Sequence, residues 1–438
     1  MIESLSDFLW YWDAIAGLQP IVGGDPTFTR ASSGLIVPDR SHRIRSISAD
    51  FPRFPWVTID GERVRVLLLE MARTSVALDS EDLTTGNWSS TGTPIVTGDD
   101  SIAPDGTVTA DKVEDDDGAA RESRNQGTIT VADDSNPHAV AVFIRKQTGG
   151  PGGRIRVDLS GGTPITATLP FDPDALTVDD SDGDVDLAGI EDMGDWFAVF
   201  LVVSNDSSGN TSLDVRLEPV ETAASTGFQH FWGLGIEVGA FPTSYKGVSA
   251  GSSVTRAVEN CSWNGAPDPQ AMVIYLDMVL VDPLATGNSR RFLQIGKSDD
   301  SDSRIFIHNQ AANKIRLSYD PGTETTADIT LTTPAVGERV QIVASLEADG
   351  SGRLVVSHAG ADPTGSDFAA AAEGMATAWS DNVLWLNSIG TASVSAEKYR
   401  QVKIVKAANL DAAVDGTDDD ELLIEMENLA VNQFGQVR

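Results

Sequence analysis

Cysteine is almost missing from this chain: Cys261 is the single one in 438 residues. No internal disulfide can form and no cysteine-built zinc site can exist. Stability must come from buried apolar cores and from subunit contacts. Basic residues are also scarce, with 31 Lys and Arg against 65 Asp and Glu and a formal net charge of −34. Phosphate recognition needs clustered cations, so a surface this acidic excludes nucleic acid and anionic membrane as partners. It favours solubility, divalent cations or a salty medium. No run approaches the ~18 apolar residues of a membrane-spanning helix. Residues 1–17 lack the basic start and clean apolar centre of a secretory signal. Any export is therefore expected by another route. Histidine is rare too: His42, His138, His230, His308 and His358 show no metal-ligand spacing. The nucleophile elbow, the zinc-protease helix motif and the P-loop are all absent. Gly233, Gly235 and Gly239 only loosely suggest a dinucleotide loop, and Pro242 follows too soon for the helix such a loop requires. A pair of carboxylates can hydrolyse a glycan, but 65 acidic residues nominate no pair. No enzymatic activity is expected.

What the chain does have is turn chemistry. Forty Gly and 20 Pro, with Thr, Ser, Asn and Asp between short apolar runs, describe a turn-rich β protein. Strands are predicted at 63–69, 139–146, 154–159, 197–203, 213–217 and 228–238, and again from 272–280 through 399–405. In 154–159 the alternation is clean, with Ile155, Val157 and Leu159 on one face and Arg154, Arg156 and Asp158 on the other. Helices are expected only at the ends. Leu5, Phe8, Leu9, Trp12 and Ile15 share a face at helical spacing. Near the C-terminus Thr417 is a fair N-cap, followed by four acidic residues and an apolar face through Leu422, Leu423, Met426 and Leu429. The expected fold class is mostly β: two antiparallel β-sandwiches of jelly-roll type with short N- and C-terminal helices.

The segment 27–75 stands apart. It carries Arg30, Arg40, Arg43, Arg45, Arg53, Arg63, Arg65 and Arg73 in an otherwise acidic chain, with little regular pattern. Arginine pairs bidentately with carboxylates and stacks on rings, which suits buried interfaces. The segment is therefore expected to clamp acidic faces of its own domains or of neighbouring subunits. The resulting division is an anchor helix at 1–26, an irregular docking segment at 27–75, a first β domain at 76–250, a linker at 251–270, a second β domain at 271–410 and a helical tail at 411–438.

Several short motifs occur in a fixed order. FTRAS (28–32), PRF (52–54), LLLEMARTS (67–75), SEDLTTGNW (80–88) and APDGTVTADKV (103–113) come first. GDWF (194–197), WGLGIEVGAFPTSY (232–245) and VTRA (254–257) follow. This order resembles a widespread group of tailed-bacteriophage and prophage virion proteins. Two departures stand out: GDWFA where the group usually reads NGWYR, and RTSVA where it usually reads RTNLL. The resemblance covers roughly residues 27–260. It implies a carbohydrate-binding-like jelly roll followed by a laminin-G or concanavalin-like sandwich, the latter matched here only in strand rhythm. It further implies a tail-fibre or spike-type virion component, assembled in the host cytoplasm, whose partners are other virion proteins, further copies of itself (a trimer first) and host-surface glycan. A capsid decoration or cement protein is the alternative, and a glycan-degrading spike enzyme a more distant one.

Sugar rings stack on exposed Trp and Tyr faces. Trp196 and Trp232 lie in apolar strands and read as core; Trp88, Trp263 and Trp379 lie in polar, loop-like sequence and are the carbohydrate-binding candidates. The docking or interface candidates are Arg30, Arg53, Arg65 and Arg73, with Phe8 and Trp12 on the anchor. The run 179–186 places Asp180, Asp182 and Asp184 at alternate positions around Gly183, an oxygen-rich pattern open to a structural Ca²⁺ or to a plain solvated turn.

Overall fold

The computed structural model describes residues 8–14, 23–36, 42–59, 61–248, 252–264, 266, 271–281, 284, 290–297, 304–321, 323–332, 334, 336–358, 361–369, 382–386 and 397–406. All of its long elements are antiparallel strands, and there is no α-helix among the described residues. The chain forms two compact units. One comprises Met1–Ala31, Ala49–Met71 and Val258–Arg438; the other comprises Ser32–Ser48 and Ala72–Ala257.

The unit built around Ala72–Ala257 holds an eight-stranded and a seven-stranded sheet. In the first, Gly227–Val238 lies between Val108–Asp115 and Pro137–Arg145, and Trp196–Ser204 follows. In the second, Gly153–Ser160 lies between Ile165–Asp172 and Ser212–Glu218. Their inward side chains share one core. Ile155, Val157 and Leu159 from one sheet and Val140, Val142, Ile144, Phe197 and Val199 from the other are all at most 1% exposed. The strict alternation of Gly153–Ser160 follows from this, since only one of its faces meets the other sheet. Each such side chain contributes about 1.5–3 kcal/mol on burial, which makes this layer the main driving force of the unit.

The other unit repeats the plan with two seven-stranded sheets. Met272–Leu280 lies between Arg339–Leu346 and Glu397–Lys406 in one, and Arg304–Ala311 lies between Arg290–Lys297 and Lys314–Asp320 in the other. Ile274, Leu276, Met278, Ile305, Ile307 and Leu317 meet in a core and are fully buried. Every residue of Met272–Leu280 is buried. Its outer face carries Val279, which packs with Val66 and with Val57 and Val64 of the hairpin Trp56–Ile59/Glu62–Arg65.

Four expectations are corrected here. The N-terminal helix is absent at Phe8–Asp13, which is a strand paired antiparallel with Glu397–Lys406. The run FLWYWD is aromatic-rich, a composition that favours strands, and its helical spacing was one reading of a nearly continuous apolar run. The segment 27–75 is not irregular: it forms Pro26–Thr29, Gly34–Ile36, Arg45–Ile47, Trp56–Ile59, Glu62–Arg65, Leu67–Leu69 and Arg73–Ser75. Strands of three or four residues are too short to show a period, and Pro26–Thr29, Leu67–Leu69 and Arg73–Ser75 have partners distant in sequence. The expected linker likewise holds the strands Val254–Arg256 and Asn260–Asn264. The single strand expected over 63–69 is two, separated at Val66. The expected C-terminal helix lies outside the described residues.

Candidate functional site

Residues from three of the ordered motifs meet in a buried ion cluster. Arg30 of FTRAS, Arg53 of PRF, Glu70 of LLLE and Glu259 just beyond VTRA are each at most 2% exposed. Arg30 Nη1 donates to Glu259 Oε1 at 2.7 Å. Arg53 donates through Nε to Glu259 Oε1 at 2.9 Å, and through Nη2 to Glu259 Oε2 and Glu70 Oε2 at 2.5 Å each. The backbone N–H of Glu70 completes the shell of Glu259 Oε2 at 2.8 Å. Burial opposes the charge on Arg53, but Glu70 and Glu259 outweigh it and its pKa rises. Two cations balance two anions, so the cluster is neutral. Removing one member would strand a buried charge, at a cost of about 3–5 kcal/mol. Arg30 and Arg53 thus clamp acidic groups of their own unit.

The unit built around Ala72–Ala257 contains a cavity of about 500 Å³ lined by Arg43, Ile44, Arg45, Ser46, Glu81, Asp105, Trp232 and Gly247. Ile44 anchors one wall: its side chain is 4% exposed and its N–H donates to the Pro104 carbonyl at 2.9 Å. That leaves the flanking Arg43 and Arg45 exposed, and neither has an ion-pair partner among the described residues. Glu81 lies in the SEDLTTGNW turn, where Ser80 bonds to the carbonyl and amide of Val248. The Tyr245 hydroxyl donates to Glu81 Oε1 at 2.8 Å and lies 2.8 Å from Ser80 Oγ. Burial raises the Glu81 pKa, Tyr245 opposes that, and Asp105 adds to it. Burial, then Glu81, push the Tyr245 phenol well above its usual range, so it stays a donor. Trp232 is held by Nε1–H to Thr109 Oγ1 at 3.0 Å and packs on Tyr245 with ring centroids 4.9 Å apart. Gly233, at φ +69, makes the bulge beside it; a Cβ there would meet the Phe143 ring at 2.8 Å. The cavity thus offers guanidinium donors and carboxylate acceptors side by side, the pairing that a polyhydroxylated ligand uses.

Two of the three tryptophans expected to bind sugar, Trp88 and Trp263, do not present ring faces. Trp88 is 4% exposed, with Nε1 donating to the Asp79 carbonyl at 3.1 Å, and Trp263 is fully buried in the other unit's core. Polar neighbours marked them as loop residues, but Trp88 opens the strand Trp88–Thr91 and Trp263 sits within Asn260–Asn264. Trp379 lies outside the described residues. Trp196 and Trp232 are core, as expected. Phe8 and Trp12 lie on the strand Phe8–Asp13. Arg65 stacks over Phe54 at 4.5 Å. Arg73 stacks over Phe241 at 5.2 Å and donates to the Val238 carbonyl at 2.7 Å; its guanidinium occupies the space a Cβ on Gly239 would take.

The acidic loop 179–186 has a different use. Asp182 Oδ2 accepts the Thr168 N–H at 3.2 Å and Asp184 Oδ2 accepts the Thr166 N–H at 3.3 Å. Ile165–Asp172 pairs on that side only at Phe171 and Asp172, through Thr177–Val178. The carboxylates therefore cap amides that no neighbouring strand takes. Among the described residues, no three His, Cys, Asp or Glu side chains converge as a metal site. The cavity is not legible in the sequence because 43–46, 81, 105 and 232 are distant along the chain; the one signal is that Glu81, Asp105 and Trp232 lie in the ordered motifs. No family model matches the chain, and no curated protein matches it.

Proposed function

We propose that this protein is a tailed-phage virion component of fibre or spike type that displays two β-sandwich modules, the first jelly-roll-like and the second laminin-G-like, to bind host-surface glycan. The motif order supports the virion assignment, and two units of paired antiparallel sheets support the modular one. The binding role is carried by one observation: in a chain of net charge −34, Arg43 and Arg45 stand without ion-pair partners among the described residues, at a cavity that also holds Glu81 and Asp105. Copies assemble with one another, a trimer being the first choice, and with other virion proteins. The test is binding of the full chain to an array of bacterial surface polysaccharides, beside the double variant Arg43→Ala/Arg45→Ala. Loss of two charged hydrogen-bonding groups is expected to weaken binding by about tenfold or more. A wild-type chain that binds no glycan would overturn the adhesion reading.

Glu81 and Asp105 favour one second reading, since paired carboxylates at a polar cavity are the machinery of glycoside hydrolysis. New reducing ends released from the bound polysaccharide, and lost in Glu81→Gln, would select it over adhesion alone.

A further inference from the structure

The strand Met272–Leu280 is buried on both faces, although a two-sheet core requires only one. Ile274, Leu276 and Met278 point into that core. On the opposite face a stripe crosses four adjoining strands: Lys403 pairs with Tyr275, Tyr275 with Val343, and Val343 with Val355. All four are 0% exposed, and Val405 and Val273, paired in the next row, are at most 1% exposed. A face open to water would alternate to polar residues; this one is mostly valine and tyrosine. The hairpin Trp56–Ile59/Glu62–Arg65 meets the same face, but at Val279, roughly 13 Å along the strand from Tyr275.

These side chains are buried within a single chain, so their cover is part of that chain. Among the described residues, no packed cluster includes Val273, Tyr275, Val343 or Val355. The remaining stretches of useful length differ in where they are tethered. Residues 15–22, 282–289, 370–381 and 387–396 each lead from one sheet of this unit to the other, so their ends lie on either side of the core. Residues 298–303 join two strands of the other sheet. Residues 1–7 adjoin this sheet but hold only three apolar side chains. Residues 407–438 follow Glu397–Lys406, a strand of the stripe itself, and can turn back over it directly.

We propose that this outer face is the docking surface of the chain's own C-terminal segment, with residues 417–431 packing across it as an amphipathic helix. The sequence pattern supplies the apolar side: Leu422, Leu423, Met426 and Leu429 recur at helical spacing. The length fits. Fifteen helical residues reach about 22 Å, and four strands span about 14 Å. The ten residues 407–416 allow up to about 33 Å of chain between Lys406 and the helix. Charge agrees with shape. The stripe ends in the buried ammonium of Lys403, 4.7 Å from the Tyr275 ring centre, and the segment brings Glu421, Glu425 and Glu427. A buried cation is stabilised by acidic neighbours. The segment is thereby a layer of this β unit and not a free attachment arm, which leaves contacts with partners to other surfaces.

The proposal draws nothing from the glycan-adhesion reading, and its test involves no glycan. Val355→Cys, a nearly isosteric change, places a reporter thiol in the stripe, while Cys261, the only native cysteine and buried in the core, reports unfolding in the same molecule. Maleimide labelling is compared in the full chain with and without Leu423→Asp/Met426→Asp. The new thiol is expected to react about tenfold or more slowly when the segment is unaltered, with Cys261 silent in both proteins. Rapid reaction in the unaltered chain overturns the proposal, as does equally slow reaction in both, which would give the cover to another segment. Labelling of Cys261 as well would mark unfolding of the altered chain, so a second measurement keeps the apolar side largely intact. Val355→Cys is combined with Leu423→Cys or with Met426→Cys under mild oxidation. A disulfide within one chain, found by peptide mapping, is expected for at least one pair. A disulfide only between chains, or none in either pair, overturns the assignment.

Discussion

Asp111 and His308 show how burial decides the behaviour of single residues. Asp111 is 1% exposed and accepts the N–H groups of Leu83 at 2.6 Å and Asp99 at 2.8 Å. Burial nevertheless dominates and lifts its pKa to about 6, from 3.8. Between these values the folded state binds more proton than the unfolded chain, so stability falls as pH rises from about 4 to 6. His308 runs the other way. Its pKa falls from 6.5 to about 3, so the unfolded chain binds more proton and stability rises with pH across that window. Each slope has an upper value of roughly 1.4 kcal/mol per pH unit. Native-state hydrogen exchange at pH 4, 5 and 6 should show these opposite contributions, one in each unit. Asp111→Asn should flatten the falling one and His308→Gln the rising one. Equal slopes for a variant and its parent would mean that the group is not buried as described. Neither behaviour was legible in the sequence, where Asp111 is one of 65 acids and His308 merely a histidine in a strand.

Elements were legible in proportion to their length. Met272–Leu280 and Arg339–Leu346 fall where the apolar runs place them, and Gly153–Ser160 has the alternation its side chains announce. Short strands were missed because three residues carry no period; Leu67–Leu69 is a strand by virtue of Tyr399, Lys398 and Glu397 beside it. The acidic loop is the clearest case of a composition with several physical uses. Asp182 and Asp184 cap a sheet edge, a device that also discourages pairing with another molecule. Asp182→Ala/Asp184→Ala is expected to expose the amides of Thr166 and Thr168 and promote self-association, seen as a larger species by light scattering. Calcium and chelator should leave the melting temperature of the parent within about 1 °C, since a site bound at 100 times its Kd would add about 2.7 kcal/mol, several degrees of melting temperature. A calcium-dependent rise of that size would restore the metal reading.

At the scale of the molecule, both units are discontinuous in sequence. Val258–Arg438 takes strands from Met1–Ala31 and Ala49–Met71, and its Glu259 takes both cations from there. A fragment of residues 258–438 is therefore expected not to fold, giving collapsed amide dispersion in its NMR spectrum, and the same fragment mixed with residues 1–71 should regain dispersion. A well-dispersed spectrum from 258–438 alone would show that the N-terminal strands and the ion cluster are dispensable.

The sequence by itself determined the predominantly β class and the long strands with their buried faces, and it set the Arg-rich motifs apart, because strand periodicity, turn residues and composition are local properties. Only the tertiary structure decided what those motifs are for. Residues 27–75 were set apart by charge and an apparent lack of pattern. Folded, they become short strands in both units and supply Arg30, Arg53 and Glu70 to the neutral cluster at Glu259, with Arg43 and Arg45 at a cavity in the other unit. Pairing a guanidinium with a carboxylate 206 positions away depends on long-range packing, which no local pattern encodes.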